Sequence, residues 1–121
     1  MGFSSVTAPV IAILADDLFV GEAVGYPGRG SINVQSKVNP DIRCLGQFQY
    51  TAGLTGTGQM QCSDGTMALF QFQGLSALSG YGFGSSLRGA VSFTYGLTIE
   101  EAEKYLKVPQ GKAIHKNGKE F

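Results

Sequence analysis

The sequence predicts a mainly β protein: an antiparallel meander of about seven to eight strands, forming a curved sheet or partly open barrel, with one short C-terminal helix. Apolar and polar residues alternate through much of the chain, which is the period of a strand that buries one face. Eighteen glycines separate the alternating runs and supply turns. A helical pattern occurs only after Gly96. The 121 residues are expected to form one domain with a single core.

The first strand is expected within Val6 to Ala15, a run apolar enough to be buried on nearly both faces. It is much shorter than the roughly 20 apolar residues of a membrane-spanning helix, and it lacks the basic start of a signal peptide. The second strand runs from Leu18 to Tyr26. One parity is expected to face the core, with Glu22 at a sheet edge or beside a bulge. This inward parity comprises Leu18, Val20, Val24 and Tyr26.

A turn at Tyr26 to Gly30 leads to a third strand, Ser31 to Lys37, with Ile32 and Val34 inward. The clearest alternation follows between Cys44 and Gly74, where three runs place one apolar residue between two glutamines. Glutamine therefore faces outward and the apolar residues face the core. The outward glutamines are Gln47, Gln49, Gln59, Gln61, Gln71 and Gln73. The inward residues are Cys44, Phe48, Tyr50, Met60, Cys62, Phe70 and Phe72.

The two cysteines lie about opposite each other if a hairpin turns near Gly53. A cross-strand disulfide between Cys44 and Cys62 is the preferred interpretation. The alternatives are two buried free thiols or a metal pair, although a metal site needs further ligands and the single histidine, His115, is distant. A structural disulfide indicates an oxidising compartment.

After Gly74 the chain is expected to loosen over Leu75 to Ser79 and to resume as Gly80-Tyr81-Gly82-Phe83-Gly84. Alternating glycine indicates a tightly packed curved sheet or, alternatively, a ligand groove. Leu87 to Gly96 completes the meander, so the sheet spans residues 6–96. Its inward residues are Val91, Phe93 and Tyr95, and its outward residues are Ser92 and Thr94. The patterned aromatic residues are all expected to point inward.

A helix over residues 98–107 is predicted from a capping box at Thr98 and Glu101, with Pro109 and Gly111 ending it. Its apolar stripe must cover one end of the sheet or a partner's surface, because so short a helix is unstable alone. This candidate docking stripe is Ile99, Ala102, Tyr105 and Leu106. Residues 108–121 are expected to form a tail or, at Asn117-Gly118, a small hairpin.

Several of these motifs resemble a glycine-rich family of small proteobacterial envelope lipoproteins of unknown function. The elements are Cys44-Leu-Gly46, Cys62-Ser-Asp64-Gly65, Gly80-Tyr-Gly82 and Phe93-Thr-Tyr95-Gly96, and the spacing of aromatic, glycine and Asp-Gly is similar to the MORN repeat. The resemblance covers about residues 10–96. It implies an exported protein, periplasmic or tethered to the outer membrane. The opening Met1-Gly2 is typical of an added start, which would hide any signal peptide or lipid-attachment cysteine that preceded it.

Composition and motifs argue against catalysis and nucleic-acid binding. The formal net charge is zero, whereas nucleic-acid affinity comes largely from neutralising phosphates. A Ser-His-Asp set would require His115 to reach back from the tail, and Asp16, Asp17 and Asp64 are explained as turn residues. We expect no enzyme activity, no cofactor and no metal.

Two functions therefore remain. The first is a structural or assembly component that docks on another envelope protein or on itself, with membrane contact only through a lipid anchor. The alternative is a module that binds glycan or peptide, or inhibits a hydrolase, through the outward glutamine amides.

Overall fold

The computed structural model describes residues 5–115 and Phe121, and it shows one antiparallel sheet closed into a barrel. Each strand pairs with the next along the chain, and the first pairs with the last, so the predicted meander is confirmed and closes completely. The strands are β1 Val6–Leu14, β2 Asp17–Tyr26, β3 Arg29–Ser36, β4 Arg43–Ala52, β5 Thr55–Cys62, β6 Met67–Ser76, β7 Ser79–Ser86 and β8 Gly89–Tyr95.

The interior of the barrel is filled by side chains, as expected for eight strands. The residues predicted to face inward from β3 to β6 all lie in this core or pack against it. Large and small residues alternate around the barrel: Phe72 is paired with Gly56 on one side and Gly82 on the other. A Cβ atom on Gly56 would lie 2.4 Å from the Phe72 ring. The glycines thus make room for aromatic rings inside a narrow barrel.

The face assigned to β2 was wrong. Phe19 and Ala23 belong to the interior core, whereas Leu18 and Val20 belong to a second apolar cluster outside the barrel. Glu22 is exposed on the outer face, and the pairing of β2 with β1 and β3 runs without a register shift. The error has a physical reason: the start of β2 is buried on both faces, so apolarity does not identify the inner one.

Two expectations about β6 and β7 also fail. The segment Leu75 to Ser79 is not loose, because β6 continues to Ser76 and β7 begins at Ser79. In β7 the glycines face the barrel interior, and Tyr81 and Phe83 point outward. The expectation that all patterned aromatic residues point inward is therefore wrong for these two. Inner space beside the rings of β6 and β8 is so limited that only glycine fits there.

The helix begins as predicted: Thr98 caps it and makes the reciprocal capping box with Glu101. It is shorter than expected, with α1 at Ile99–Ala102 followed by a 3-10 turn at Glu103–Tyr105. The predicted hairpin at Asn117-Gly118 lies outside the described residues. Within the described part of the chain, no helix has the length and apolar character needed to cross a membrane.

Candidate functional site

The predicted glutamine face forms one wall of the barrel, and we call it the glutamine wall. It comprises outward residues of β4 to β7 between Leu45 and Ser85, and it leaves out Arg43, the first residue of β4, and Tyr81 of β7, which Tyr105 covers. In cross-strand order, Gln47 pairs with Gln59, and Gln59 pairs with Leu69. The wall consists of Leu45, Gln47, Gln49, Thr57, Gln59, Gln61, Met67, Leu69, Gln71, Gln73, Phe83 and Ser85, all exposed.

The glutamine wall has no charge. Between Arg43 and Leu87 the only charged residue of the sequence is Asp64, and it lies in the turn between β5 and β6. The wall also exposes large apolar side chains that the alternation did not predict. Leu69 is 60% exposed and Phe83 is 52% exposed, and Phe83 stands directly across from Gln71. Amide side chains and apolar side chains are therefore interleaved on one uncharged surface.

An open groove of about 1130 Å³ runs along part of this wall, over β3 to β6. Three of the six predicted glutamines line it, namely Gln47, Gln49 and Gln59. Tyr26 and Arg29, which pair across β2 and β3, stand at one end of the groove. The structure thus divides the predicted glutamine face: Gln61, Gln71 and Gln73 lie on the wall but do not line the groove.

A disulfide lies behind the glutamine wall. Cys44 and Cys62 pair directly across β4 and β5, with 3.9 Å between their Cα atoms, and both side chains are buried in the interior core. The predicted pairing is confirmed, and the free-thiol and metal-pair alternatives are excluded. The covalent link holds β4 and β5 in the register that places their glutamines side by side.

The opposite wall of the barrel is covered by the chain itself, and we call it the covered wall. Its outward residues from β1 and β2 contact the C-terminal segment in a second apolar cluster. The buried members of this cluster are Ile11, Ile13, Leu18, Ala102, Leu106 and Ile114. The amide of Lys107 donates to Ser92 Oγ at 2.8 Å, and the outward residues Ser92 and Thr94 of β8 are buried as well.

All four residues of the candidate docking stripe turn toward their own barrel. Ala102 and Leu106 are buried in the outer cluster, and Ile99 packs against it. Tyr105 stacks on Tyr81 with ring centroids 4.3 Å apart and an angle of 14° between the planes. The stripe therefore covers the sheet, the first of the two possibilities predicted for it.

One end of the barrel is closed by an ionic cluster that sequence reasoning missed. Arg88, in the turn between β7 and β8, donates to Asp17 at 3.1 Å and to Asp64 at 3.4 Å. Hydrogen bonds from Thr66 lower the pKa of Asp64, and Arg88 lowers it further. The Asp-Gly turn was recognised in the sequence, but nothing local indicates that turns so distant along the chain meet at one end.

The remaining features of the site concern metal-ligating side chains, His115 and Tyr95. Among the described residues, no group of three or more His, Cys, Asp or Glu side chains is placed to hold a metal ion. His115 is exposed on the C-terminal segment. Inside the barrel, burial raises the pKa of Tyr95 to about 12, and the nearby Tyr50 adds to the effect. This phenol therefore stays neutral at physiological pH.

No model of a known protein family, no curated protein and no solved structure matches this chain.

Proposed function

We propose that this chain is a non-catalytic, exported envelope protein: a structural component that assembles with a second copy of itself through the glutamine wall. The observation that carries the proposal is the set of exposed apolar side chains on that uncharged wall. Leu45, Met67, Leu69 and Phe83 are each more than half exposed. Met67 and Leu69 are neighbours on the outer face of β6, and Gln61 separates Leu45 from Met67. Exposed apolar side chains grouped on one face of a small domain are typical of a protein contact.

The contrast with the covered wall supports this interpretation. The C-terminal segment removes Ile11, Ile13 and Leu18 from water, whereas the apolar residues of the glutamine wall have no such cover within the described part of the chain. Burying apolar side chains stabilises a contact by roughly 25 cal/mol per Å² of surface removed from water. A partner that buries the apolar residues of the glutamine wall therefore gains the same kind of stabilisation that the C-terminal segment gains by burying the covered wall.

A second copy suits the glutamine wall because the wall complements itself. Side-chain amides both donate and accept hydrogen bonds, so glutamines on two facing copies can pair. Two uncharged walls meet without like-charge repulsion and without taking unpaired charges out of water. Charged residues flank the wall. Arg29 pairs with Gln49 from β3, Arg43 precedes Leu45 on the same face of β4, and others lie at the closed end and on the C-terminal segment. A contact through those flanking residues would carry a desolvation cost. The wall spans four strands about 4.8 Å apart, so the contact is expected to be small and weak.

Sedimentation equilibrium or light scattering tests the proposal, with a matched pair of variants. Wild-type protein is expected to form a dimer at concentrations on the order of 100 µM. Leu69→Lys, which places a charge in the middle of the wall, is expected to be monomeric. Leu87→Lys makes the same change at a fully exposed turn residue away from the wall, and it should dimerise like the wild type. Wild-type protein that stays monomeric, or a dimer equally sensitive to both variants, refutes the proposal.

The exported location is supported by the Cys44–Cys62 disulfide, since such bonds persist in oxidising compartments. We propose a periplasmic protein or one tethered to the outer membrane by a lipid anchor, as the lipoprotein resemblance implies. Cell fractionation followed by thiol alkylation and mass spectrometry tests this. The expected result is a periplasmic or membrane fraction containing the oxidised protein. Recovery in the cytoplasm with alkylated Cys44 and Cys62 contradicts it.

The non-catalytic part of the proposal is supported by the positions of the ionisable groups. His115 is exposed, and Asp17 and Asp64 are both paired to Arg88. The pairing of Asp17 and Asp64 with Arg88 therefore stabilises one end of the barrel, and it does not align a nucleophile with a base.

The groove favours a second candidate function, glycan binding. Gln47, Gln49 and Gln59 offer donors and acceptors suited to sugar hydroxyls, and Tyr26 supplies an exposed aromatic ring at the end of the groove. Titration calorimetry with soluble peptidoglycan fragments tests this function. A Gln47→Ala/Gln49→Ala/Gln59→Ala variant is expected to lose binding, while Gln61→Ala/Gln71→Ala/Gln73→Ala, outside the groove, should retain it. Equal behaviour of the two triple variants contradicts the assignment.

A further inference from the structure

The two ends of the barrel differ in chemistry. The end that contains Asp16, Asp64 and Arg88 is charged and closed by the ionic cluster. We call the opposite end the open end. Its three turns, Pro27-Gly28, Gly53-Leu54 and Ala77-Leu78, contain no charged residue. Exposed apolar side chains surround it, namely Val6, Tyr26, Leu54, Leu75 and Leu78.

A narrow cavity of about 40 Å³ opens at this end, in the part of the chain that the structure describes. Its walls are the last inward residues of the strands, including Ala8, Ala23 and Phe72, and its rim includes Val6 and Leu78. Only Tyr50 and Tyr95 contribute polar side-chain atoms among its lining residues, and no acidic or basic side chain lines it.

The size and chemistry of the cavity define the ligand class. An apolar cavity that holds benzene has a volume of roughly 150 Å³, whereas this one has about 40 Å³ and is small for a ring. It suits the methyl end and first methylenes of an unbranched chain. A charged head group could not enter, because no charged side chain lines the cavity and burying an unpaired charge is strongly unfavourable. The exposed apolar residues of the rim are placed to contact the part of the chain that remains outside.

We propose that the open end binds one unbranched aliphatic chain, methyl end first, with its head group in solvent. The chain can come from a free fatty acid or from a lipid in a bilayer, and both sources share this chemistry. The inference is independent of self-assembly through the glutamine wall, because the open end and the wall share no residue that either proposal requires.

Nuclear magnetic resonance titration of the full chain tests the proposal, with three probes. Dodecanoate below its micelle concentration represents a free chain, phosphatidylcholine vesicles represent a bilayer, and butyrate controls for the head group. Dodecanoate or vesicles are expected to shift or broaden the amide signals of Val6, Gly25 and Leu78, and butyrate is not. Response to dodecanoate identifies a free-chain site, and response to vesicles alone identifies a bilayer site. No response to either probe, or one confined to the glutamine wall, overturns the proposal.

Matched substitutions locate the site. Ala8→Leu fills the cavity from β1, and Ala77→Leu narrows the rim from a turn, where it disturbs folding less. Each is expected to weaken dodecanoate binding at least about tenfold, since displaced methylenes lose their burial. Ala90→Leu makes the same change at an exposed position near the closed end and should bind like the wild type. Unchanged affinity in both cavity variants refutes the site.

Discussion

The glutamine wall and the covered wall are built from strands of the same barrel, yet their outer faces have opposite environments. On the covered wall, Ile13 and Leu18 point outward and are almost fully buried beneath the C-terminal segment. On the glutamine wall, Leu69 points outward just as clearly and is exposed. Strand parity decides whether a residue faces into or out of the barrel. Whether an outward residue meets water is decided by a segment far away in sequence.

The largest expected difference between the walls comes from one substitution made on each. Leu106→Asp buries an unpaired carboxylate in the outer cluster, because Leu106 is only 7% exposed. We expect it to lower the free energy of unfolding by at least about 3 kcal/mol. Leu69→Asp should change it by no more than about 0.5 kcal/mol. Urea unfolding at low protein concentration measures both values. Similar losses of unfolding free energy in the two variants would mean that Leu106 and Leu69 do not differ in burial.

Removal of the disulfide should act mainly on the glutamine wall. The bond joins residues 18 apart in sequence, and a closed loop of that length contributes roughly 3 kcal/mol. In a Cys44→Ala/Cys62→Ala variant, hydrogen exchange should quicken first in β4 and β5, while β1 and β2 retain more protection under their cover. Reduced wild-type protein is the control and should behave in the same way. Equal loss of protection in all eight strands would argue that the barrel opens only as a unit.

A smaller effect is expected at Thr98, the cap of the helix with which the C-terminal segment begins to cover the barrel. Thr98 accepts a hydrogen bond from the Glu101 amide, and the Thr98 amide donates to Glu101 Oε1 at 3.0 Å. Loss of such a cap costs about 1 kcal/mol, so Thr98→Ala should lower the urea midpoint modestly. Thr57→Ala, an exposed threonine on the glutamine wall, is the matched control and should leave the midpoint unchanged. Equal midpoints for the two variants would indicate that α1 adds nothing to the cover.

The smallest expected effect is a pH dependence that belongs to neither wall, because Tyr95, at the end of β8, points into the barrel interior. Burial raises its pKa from 10.0 to about 12. Its contribution to stability is complete below pH 10, where both states keep the proton, and it is lost as the pH rises toward 12 because the unfolded state ionises first. The effect is modest because the phenol is only half buried and therefore screened.

Denaturant unfolding at pH 9 and pH 11 measures this dependence. Wild-type protein should lose more stability between the two pH values than Tyr95→Phe does. A loss of the same size in both proteins would contradict the assignment to Tyr95.

The glutamine wall was largely predictable from sequence, and the covered wall was not. The Gln-Phe-Gln and Gln-Met-Gln runs have one apolar and one polar face, so period-two alternation assigns both faces and brings Cys44 opposite Cys62. In β2, apolar residues occur on both parities, and the alternation selected the wrong inner face. In β7 the glycines were recognised, but their inward direction depends on rings from neighbouring strands.

The sequence by itself determined the strands from β3 to β6, their inner and outer faces, the cysteine pair and the capped start of the helix, because each depends on residues that are neighbours in the chain or in one hairpin. Tertiary structure alone decided that β1 pairs with β8, that the C-terminal segment covers one wall, and that Arg88 meets Asp17 across a separation of 71 residues. These contacts form only when the sheet curves through a full turn, and closure depends on the twist and tilt of all eight strands together.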